Sequence, residues 1–125
     1  MFGLFGKPKQ RQYETVVGTQ YGCKFPIGKH LSREEDVCSK AKKGDSITLK
    51  RYTWKKENAY AVILDKVGAD LGVLPRVRIP VLEKWEDLDG LKGEVWYIEK
   101  IRTEDSDEEN DYYRYEVEIV LERRK

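Results

Sequence analysis

The feature of this sequence that most constrains its fold is a series of short runs in which apolar and polar residues alternate. Alternation with a period of two places every second side chain on one face of a β-strand. The last run, residues 112–122, has mostly charged residues at its even positions and an inward face made of Tyr113, Tyr115, Val117, Ile119 and Leu121. Further strands are predicted at residues 13–21, 45–54, 70–74 and 92–103. The run at residues 58–64 is apolar on both faces, which predicts a central strand.

Two short helices complete the predicted fold. Ser32 and Glu35 have the spacing of a capping box, which predicts a helix over residues 32–43 that ends at Gly44. Pro75 suits the first turn of a second helix, whose expected buried stripe is Val77, Val81, Leu82 and Trp85. The predicted class is α+β and mainly β: a small curled antiparallel sheet or β-barrel of about six strands with two short helices.

The length of 125 residues suits one domain with a single core. We expect a flexible arm at residues 1–12 and one domain at residues 13–125. No apolar run approaches the roughly 20 residues of a membrane helix, and the N-terminus lacks the pattern of a signal peptide. Cys23 and Cys38 have the spacing of neither a metal nor a redox motif, so we expect a cytoplasmic protein without membrane contact.

The sequence offers little material for catalysis or metal binding. His30 is the only histidine, so any catalytic arrangement with a histidine base must use it. Cys23, His30 and Cys38 lack the paired short spacing of a structural zinc site and have no fourth ligand. We therefore expect a protein that is not an enzyme, with no catalytic residues, no metal and no cofactor.

Charge is distributed unevenly along the chain. Residues 1–56 contain 13 Lys or Arg against 5 Asp or Glu, whereas residues 57–125 contain 11 against 18. A basic half can attract polyanions even when the whole chain is close to neutral. The alternative is that folding interleaves the two halves and cancels the field. Much of the negative charge falls at residues 104–111, which we expect to form a solvated hairpin loop.

The strongest candidate for a binding function is the basic and aromatic segment at residues 50–56. Strand alternation places Lys50, Tyr52 and Trp54 on one face. Lysines contact phosphates, and aromatic rings stack on unpaired bases. The alternative is that Tyr52 and Trp54 are core residues and that the lysines form a solvated rim.

Four segments resemble the HIRAN domain family, and they span about residues 13–86. They are residues 16–21 (VVGTQY), 43–51 (KGDSITLKR), 57–62 (ENAYAV) and 71–76 (LGVLPR). The resemblance implies a small β-barrel with two helices that binds single-stranded DNA, in some members at a free 3′ end. It implies that Tyr21 stacks on a terminal base and that Arg76 is the family's basic residue.

This sequence departs from the family at two places. Gln20 occupies a position where Arg is common, and residues 54–57 (WKKE) replace a turn whose Tyr and Asp help to recognise the DNA end. The added lysines would keep or strengthen phosphate attraction, while recognition of a 3′ end stays open. The expected nucleic-acid contacts are stacking by Tyr21, Tyr52 and Trp54, and phosphate binding by Lys24, Lys50, Arg51, Lys55, Lys56, Arg76 and Arg78.

A second function is kept as an alternative. The chain would then be a protein-interaction or scaffold domain that docks on a partner, or on another copy of itself. The apolar residues of the arm, Phe2, Leu4 and Phe5, or the C-terminal hairpin would form the contact. The polarised charge suits head-to-tail association of this kind.

Overall fold

The computed structural model describes residues 11–104, 106–109 and 112–124. Its six strands are β1 Arg11–Val16, β2 Ser46–Trp54, β3 Glu57–Leu64, β4 Ala69–Val73, β5 Lys92–Arg102 and β6 Tyr113–Glu122. The helical segments are a π-helical turn at Arg33–Val37, 3₁₀ turns at Cys38–Lys40 and Arg76–Arg78, and the helix α1 at Ile79–Trp85. The predicted fold class, mainly β with two short helical regions, is confirmed. In the described part of the chain, no helix has the length and apolar character needed to cross a bilayer.

The six strands form one antiparallel sheet in the order β1-β6-β5-β2-β3-β4. Its two edges meet just beyond the end of β1. There, the backbone N–H groups of Val17 and Val73 each donate to the other residue's carbonyl oxygen, with N···O distances of 2.9 Å. This reciprocal pair joins β1 to β4, so the sheet curls into a barrel.

The pairing of β2 with β5 determines where the two long hairpins lie. These strands pair only between Ser46–Thr48 and Lys92–Glu94, and they run antiparallel. Beyond this short ladder, β2 therefore extends in one direction by roughly 20 Å and β5 in the opposite direction by roughly 26 Å. The β2–β3 hairpin and the β5–β6 hairpin consequently point to opposite ends of the molecule.

The core lies inside the barrel and under α1. β3 is buried on both faces, as its apolar run predicts, with Ala59, Tyr60, Ala61 and Val62 all inaccessible or nearly so. On β2, the inward face consists of Ile47 and Leu49. On β6, it consists of Val117, Ile119 and Leu121, whereas Tyr113 at the start of the strand is exposed.

Several predicted boundaries differ from the structure. β1 begins at Arg11, inside the predicted arm, and ends at Val16 instead of Tyr21. The early end has a local cause, because Gly18 adopts a φ of +76° and turns the chain. Residues 1–10 of the predicted arm lie outside the described residues.

The first predicted helix is correct at its start and too long at its end. The Ser32 hydroxyl accepts a hydrogen bond from the Glu35 N–H at 3.1 Å, as a capping residue does. The Asp36 carboxylate, one residue later than the capping box predicts, accepts from the Ser32 N–H. The helical segment then ends at Lys40.

The buried stripe predicted for the second helix is partly wrong. Val77 is 84% exposed and Val81 is 53% exposed, while Leu82 is buried as expected. The reason is that regular α-helix begins only at Ile79, so that Ile79 and Leu82 face the core. Pro80 lies in the first turn of this helix, where its missing N–H costs nothing.

Candidate nucleic-acid interface

A buried carboxylate holds the loop that follows β1 against the barrel. Asp70, on β4 and fully buried, accepts hydrogen bonds from the backbone N–H groups of Lys24 at 3.1 Å and Phe25 at 2.7 Å. It also accepts from Nε of Arg33 at 2.7 Å. The two side chains of this ion pair are 7% and 0% exposed. Charge-assisted hydrogen bonds of this kind compensate for the desolvation of a buried carboxylate.

Arg33 also fixes the turn that presents Tyr21. Its Nη1 donates to the carbonyl oxygen of Gly18 at 2.8 Å. The Tyr21 N–H donates to the same carbonyl oxygen at 3.2 Å, and the Arg33 N–H donates to the Tyr21 carbonyl oxygen at 3.4 Å. The Tyr21 side chain is 65% exposed beside this anchored backbone.

The outer face of β2 carries a series of alternating rings and cations. Lys50, Tyr52 and Trp54 share this face, as the strand alternation predicts, and the loop from β1 lies across it. Nζ of Lys24 lies 4.8 Å from the ring centroid of Tyr52 and 5.3 Å from that of Trp54. Phe25 packs edge-on against Tyr52, with ring centroids 6.1 Å apart.

Cations lie at both ends of this series. Nζ of Lys50 is 5.1 Å from the ring centroid of Phe25, and Nζ of Lys55 is 5.7 Å from that of Trp54. Trp54 itself is 45% exposed. Trp54 and Tyr21 are therefore open to solvent and not part of the core, whereas Tyr52 is partly buried.

These elements enclose a cleft whose main cavity has a volume of about 620 Å³. The main cavity lies between the loop after β1 and the ends of β2, β3 and β4. Its aromatic and charged lining consists of Tyr21, Lys24, Arg33, Tyr52, Trp54 and Arg76. A volume of this size is typical of a site for a small ligand or a nucleotide unit. Burial raises the pKa of the Tyr52 hydroxyl, so the ring is neutral at physiological pH.

The lysines around the cleft lack acidic partners. Among the described residues, no carboxylate forms an ion pair with Lys24, Lys50, Lys55 or Lys56. Their charge is therefore available to an external anion. Lys50 and Lys56 lie outside the main cavity, and each lines a separate depression.

The three arginines predicted to bind phosphate are all engaged within the fold. Arg76 lines the cleft and pairs with Glu57 at 3.0 Å, in a contact exposed on both sides. Arg78 makes a bidentate pair with the buried Glu14, at 2.9 and 2.8 Å, and this partner raises the pKa of Arg78. Arg51 lies on the opposite face of β2 from Trp54. The structure thus leaves only Arg76 of the three arginines in the cleft.

Arg51 is occupied by contacts on its own side of the sheet. Its Nε donates to the Tyr60 hydroxyl at 3.1 Å, and its Nη2 lies 3.6 Å from the Asp87 carboxylate. Its backbone N–H donates to the side chain of Asp89. These contacts direct the guanidinium away from the face that carries the rings.

Sequence reasoning missed two residues of the site, Phe25 and Arg33. Phe25 follows Lys24 in an irregular loop, and its packing on Tyr52 depends on the bonds from Asp70. Arg33 falls in the first turn of the first predicted helix, and no local pattern connects it to Asp70, which is 37 residues away. The only available signal was Asp70 itself, a charged residue in an otherwise apolar strand.

The thiols are not activated for nucleophilic chemistry. Burial raises the pKa of Cys23 to about 11 and that of Cys38 to about 12, so both are protonated at neutral pH. In the part of the chain that the structure describes, no three His, Cys, Asp or Glu side chains are grouped as metal ligands would be.

Comparison of the chain with protein-family models, with curated proteins and with solved structures finds no match in any of the three.

Proposed function

We propose that this protein binds single-stranded nucleic acid in the cleft between β2 and the loop after β1. Tyr21, Tyr52 and Trp54 stack on bases, and the lysines around them contact phosphates. The observation that carries the proposal is that solvent-exposed rings lie among lysines that have no acidic partner among the described residues. The resemblance to HIRAN domains favours single-stranded DNA as the natural form.

The energetics suit a flexible single strand. Stacking of one base on an aromatic ring contributes roughly 1–3 kcal/mol and is tolerant of sequence. The logarithm of the binding constant falls linearly with the logarithm of the salt concentration. Each phosphate that a lysine neutralises contributes about −0.7 to the slope. Four contacts, from Lys24, Lys50, Lys55 and Lys56, therefore predict a slope of about −3.

Arg33 supplies a hydrogen-bond donor at the base of the cleft. Its Nε and Nη1 bind Asp70 and Gly18, and within the described chain Nη2 makes no hydrogen bond. This nitrogen is available to an acceptor atom of a base or a phosphate. Arg76 adds a second cation, because an exposed pair such as that with Glu57 contributes little and can exchange its partner.

The test is binding of labelled oligonucleotides of about ten residues, a length typical of such sites, to the wild-type protein and to single-ring variants. Trp54→Ala and Tyr21→Ala are each expected to weaken binding about 5- to 150-fold. Trp96→Ala is the matched control. Trp96 also lies under a lysine, with Nζ of Lys43 4.6 Å from its centroid, but it lies outside the cleft. Its removal should leave affinity unchanged.

The same titrations are repeated at several salt concentrations and with oligonucleotides that differ in their 3′ ends and sugars. Binding should be tightest at low salt, because counterion release drives it. DNA with free and blocked 3′ ends, and RNA of the same sequence, show whether an end or a sugar is recognised. Absence of binding to every oligonucleotide at low salt contradicts the proposal.

A further inference from the structure

The end of the molecule opposite the lysine-bearing turn after Trp54 carries exposed negative charge. Within the described residues, the tip of the β5–β6 hairpin presents Glu104, Glu108 and Glu109, all exposed and without an ion-pair partner. Two tyrosines lie at the same tip, with Tyr112 49% exposed and Tyr113 38% exposed. The tip therefore offers anions and rings together, as a single strand offers phosphates and bases.

Negative charge continues down the hairpin. Glu99 on β5 is directly opposite Glu116 on β6, and cross-strand pairs of like charge are destabilising. Glu118 lies opposite Tyr97. The hydrogen bond to Glu99, with the charges of Glu116 and Glu118, raises the pKa of the Tyr97 hydroxyl to about 12. A cationic partner on this surface would relieve the repulsion.

The two charged ends cannot meet within one molecule. The lysine-bearing turn after Trp54 and the acidic tip after Arg102 extend in opposite directions from the short β2–β5 ladder. Contact between them requires a second copy of the chain. Because each copy has one acidic tip and one cationic cleft, such a contact is head-to-tail and can repeat.

We infer that the acidic tip of one copy docks in the cationic, ring-lined cleft of another copy, so that the protein associates head to tail at low salt. Tyr112 enters among the rings of Tyr21 and Trp54, and the carboxylates of the tip meet the lysines. A docked tip covers the surface proposed to bind nucleic acid. The docking itself does not require that the cleft bind nucleic acid.

The first test is sedimentation velocity of the wild-type protein at about 20 mM and about 500 mM salt, which correspond to long and short screening lengths. Association is expected at low salt and should weaken at least tenfold at high salt. A protein that stays monomeric at low salt and high protein concentration overturns the inference. Association that is unchanged by salt overturns it as well.

Two charge variants with matched changes identify the surfaces. The tip variant combines Glu104→Gln, Glu108→Gln and Glu109→Gln, and the cleft variant combines Lys24→Gln, Lys55→Gln and Lys56→Gln. Each variant alone is expected to be monomeric. An equimolar mixture should form a dimer and nothing larger, because one intact tip and one intact cleft remain. Failure of the mixture to form a dimer overturns the head-to-tail arrangement.

A control variant and an oligonucleotide complete the test. Lys42→Gln with Glu94→Gln changes charges near the β2–β5 ladder, far from both ends, and should leave association unchanged. Loss of association in this variant overturns the assignment to the tip and the cleft. Addition of an oligonucleotide that binds the protein should release monomers from the assembly. If the assembly persists with the oligonucleotide bound, the tip and the oligonucleotide do not share the cleft, and the inference is overturned. Association without any oligonucleotide binding would refute only the proposed function.

Discussion

At the scale of single residues, the most consequential contact is the buried pair of Arg33 and Asp70. A buried ion pair gains little net stability, because desolvation offsets much of the attraction. This pair nevertheless organises the site, since Asp70 also binds the backbone of Lys24 and Phe25. Its role is to hold the loop in one conformation across the face that carries Tyr52.

Asp70→Asn should be strongly destabilising. The variant leaves the Arg33 charge buried without its counterion, and breaking such a pair costs about 3–5 kcal/mol. The matched control is Asp87→Asn, whose exposed pair with Arg51 at 3.6 Å should contribute about 0–1 kcal/mol. Urea denaturation measures both free energies of unfolding. If both variants lost the same free energy of unfolding, burial of the Arg33–Asp70 pair would not be the reason for the destabilisation.

At the scale of elements, the β2–β3 hairpin has an unusual turn. Trp54 pairs with Glu57, which leaves Lys55 and Lys56 as a two-residue loop, and these have φ angles of 51° and 67°. Such turns favour Asn-Gly, because residues with a Cβ are strained at positive φ. Two lysines here reduce stability and place two cations at the mouth of the cleft.

Replacing the turn should separate stability from binding. Lys55→Asn with Lys56→Gly is expected to raise the free energy of unfolding by about 1 kcal/mol, because the strain is relieved. If both lysines contact phosphates, the salt slope of binding becomes shallower by about 1.4. Thermal unfolding and binding titrations at several salt concentrations measure the two effects.

The control for the turn lies at the other end of the same strand. Lys42→Gln removes an exposed lysine just before β2 and should leave the salt slope unchanged. A turn variant that is more stable and binds with the wild-type slope would show that Lys55 and Lys56 do not contact phosphate.

At the scale of the whole molecule, the barrel depends on a close approach of its two edges. Gly72 lies on β4 where β1 crosses it. A Cβ atom at this position would lie 2.5 Å from the carbonyl oxygen of Val17 and 2.6 Å from Cγ1 of Val16. A residue with a Cβ atom would clash here, so the approach of β1 to β4 at the Val17–Val73 bridge requires glycine.

Gly72→Ala is therefore expected to weaken the closure of the barrel. Forcing a methyl group against backbone costs about 1–3 kcal/mol, and amide exchange at Val17 and Val73 should become faster. Gly22→Ala is the control, since its Cβ would make only an ordinary contact of 3.6 Å with the Leu31 carbonyl oxygen. Equal stability of the two variants would show that the edges are not tightly packed.

Local sequence patterns were enough to predict most elements of this fold and one face of the site. Period-two alternation and the apolar run at residues 58–64 predicted the strands. Alternation also placed Lys50, Tyr52 and Trp54 together, because the direction of a strand side chain depends only on its position in the strand. The cap at Ser32 was also predictable, because its hydrogen-bond partner Glu35 is only three residues away in the sequence.

Which charges are available and which rings are exposed to solvent depends on contacts between residues that are distant in sequence. Arg78 is paired because Glu14, 64 residues away, lies beside it, and Arg33 reaches the cleft because Asp70 binds it. Burial and ion pairing are properties of long-range contacts, whereas the sequence pattern records only the local period of the chain.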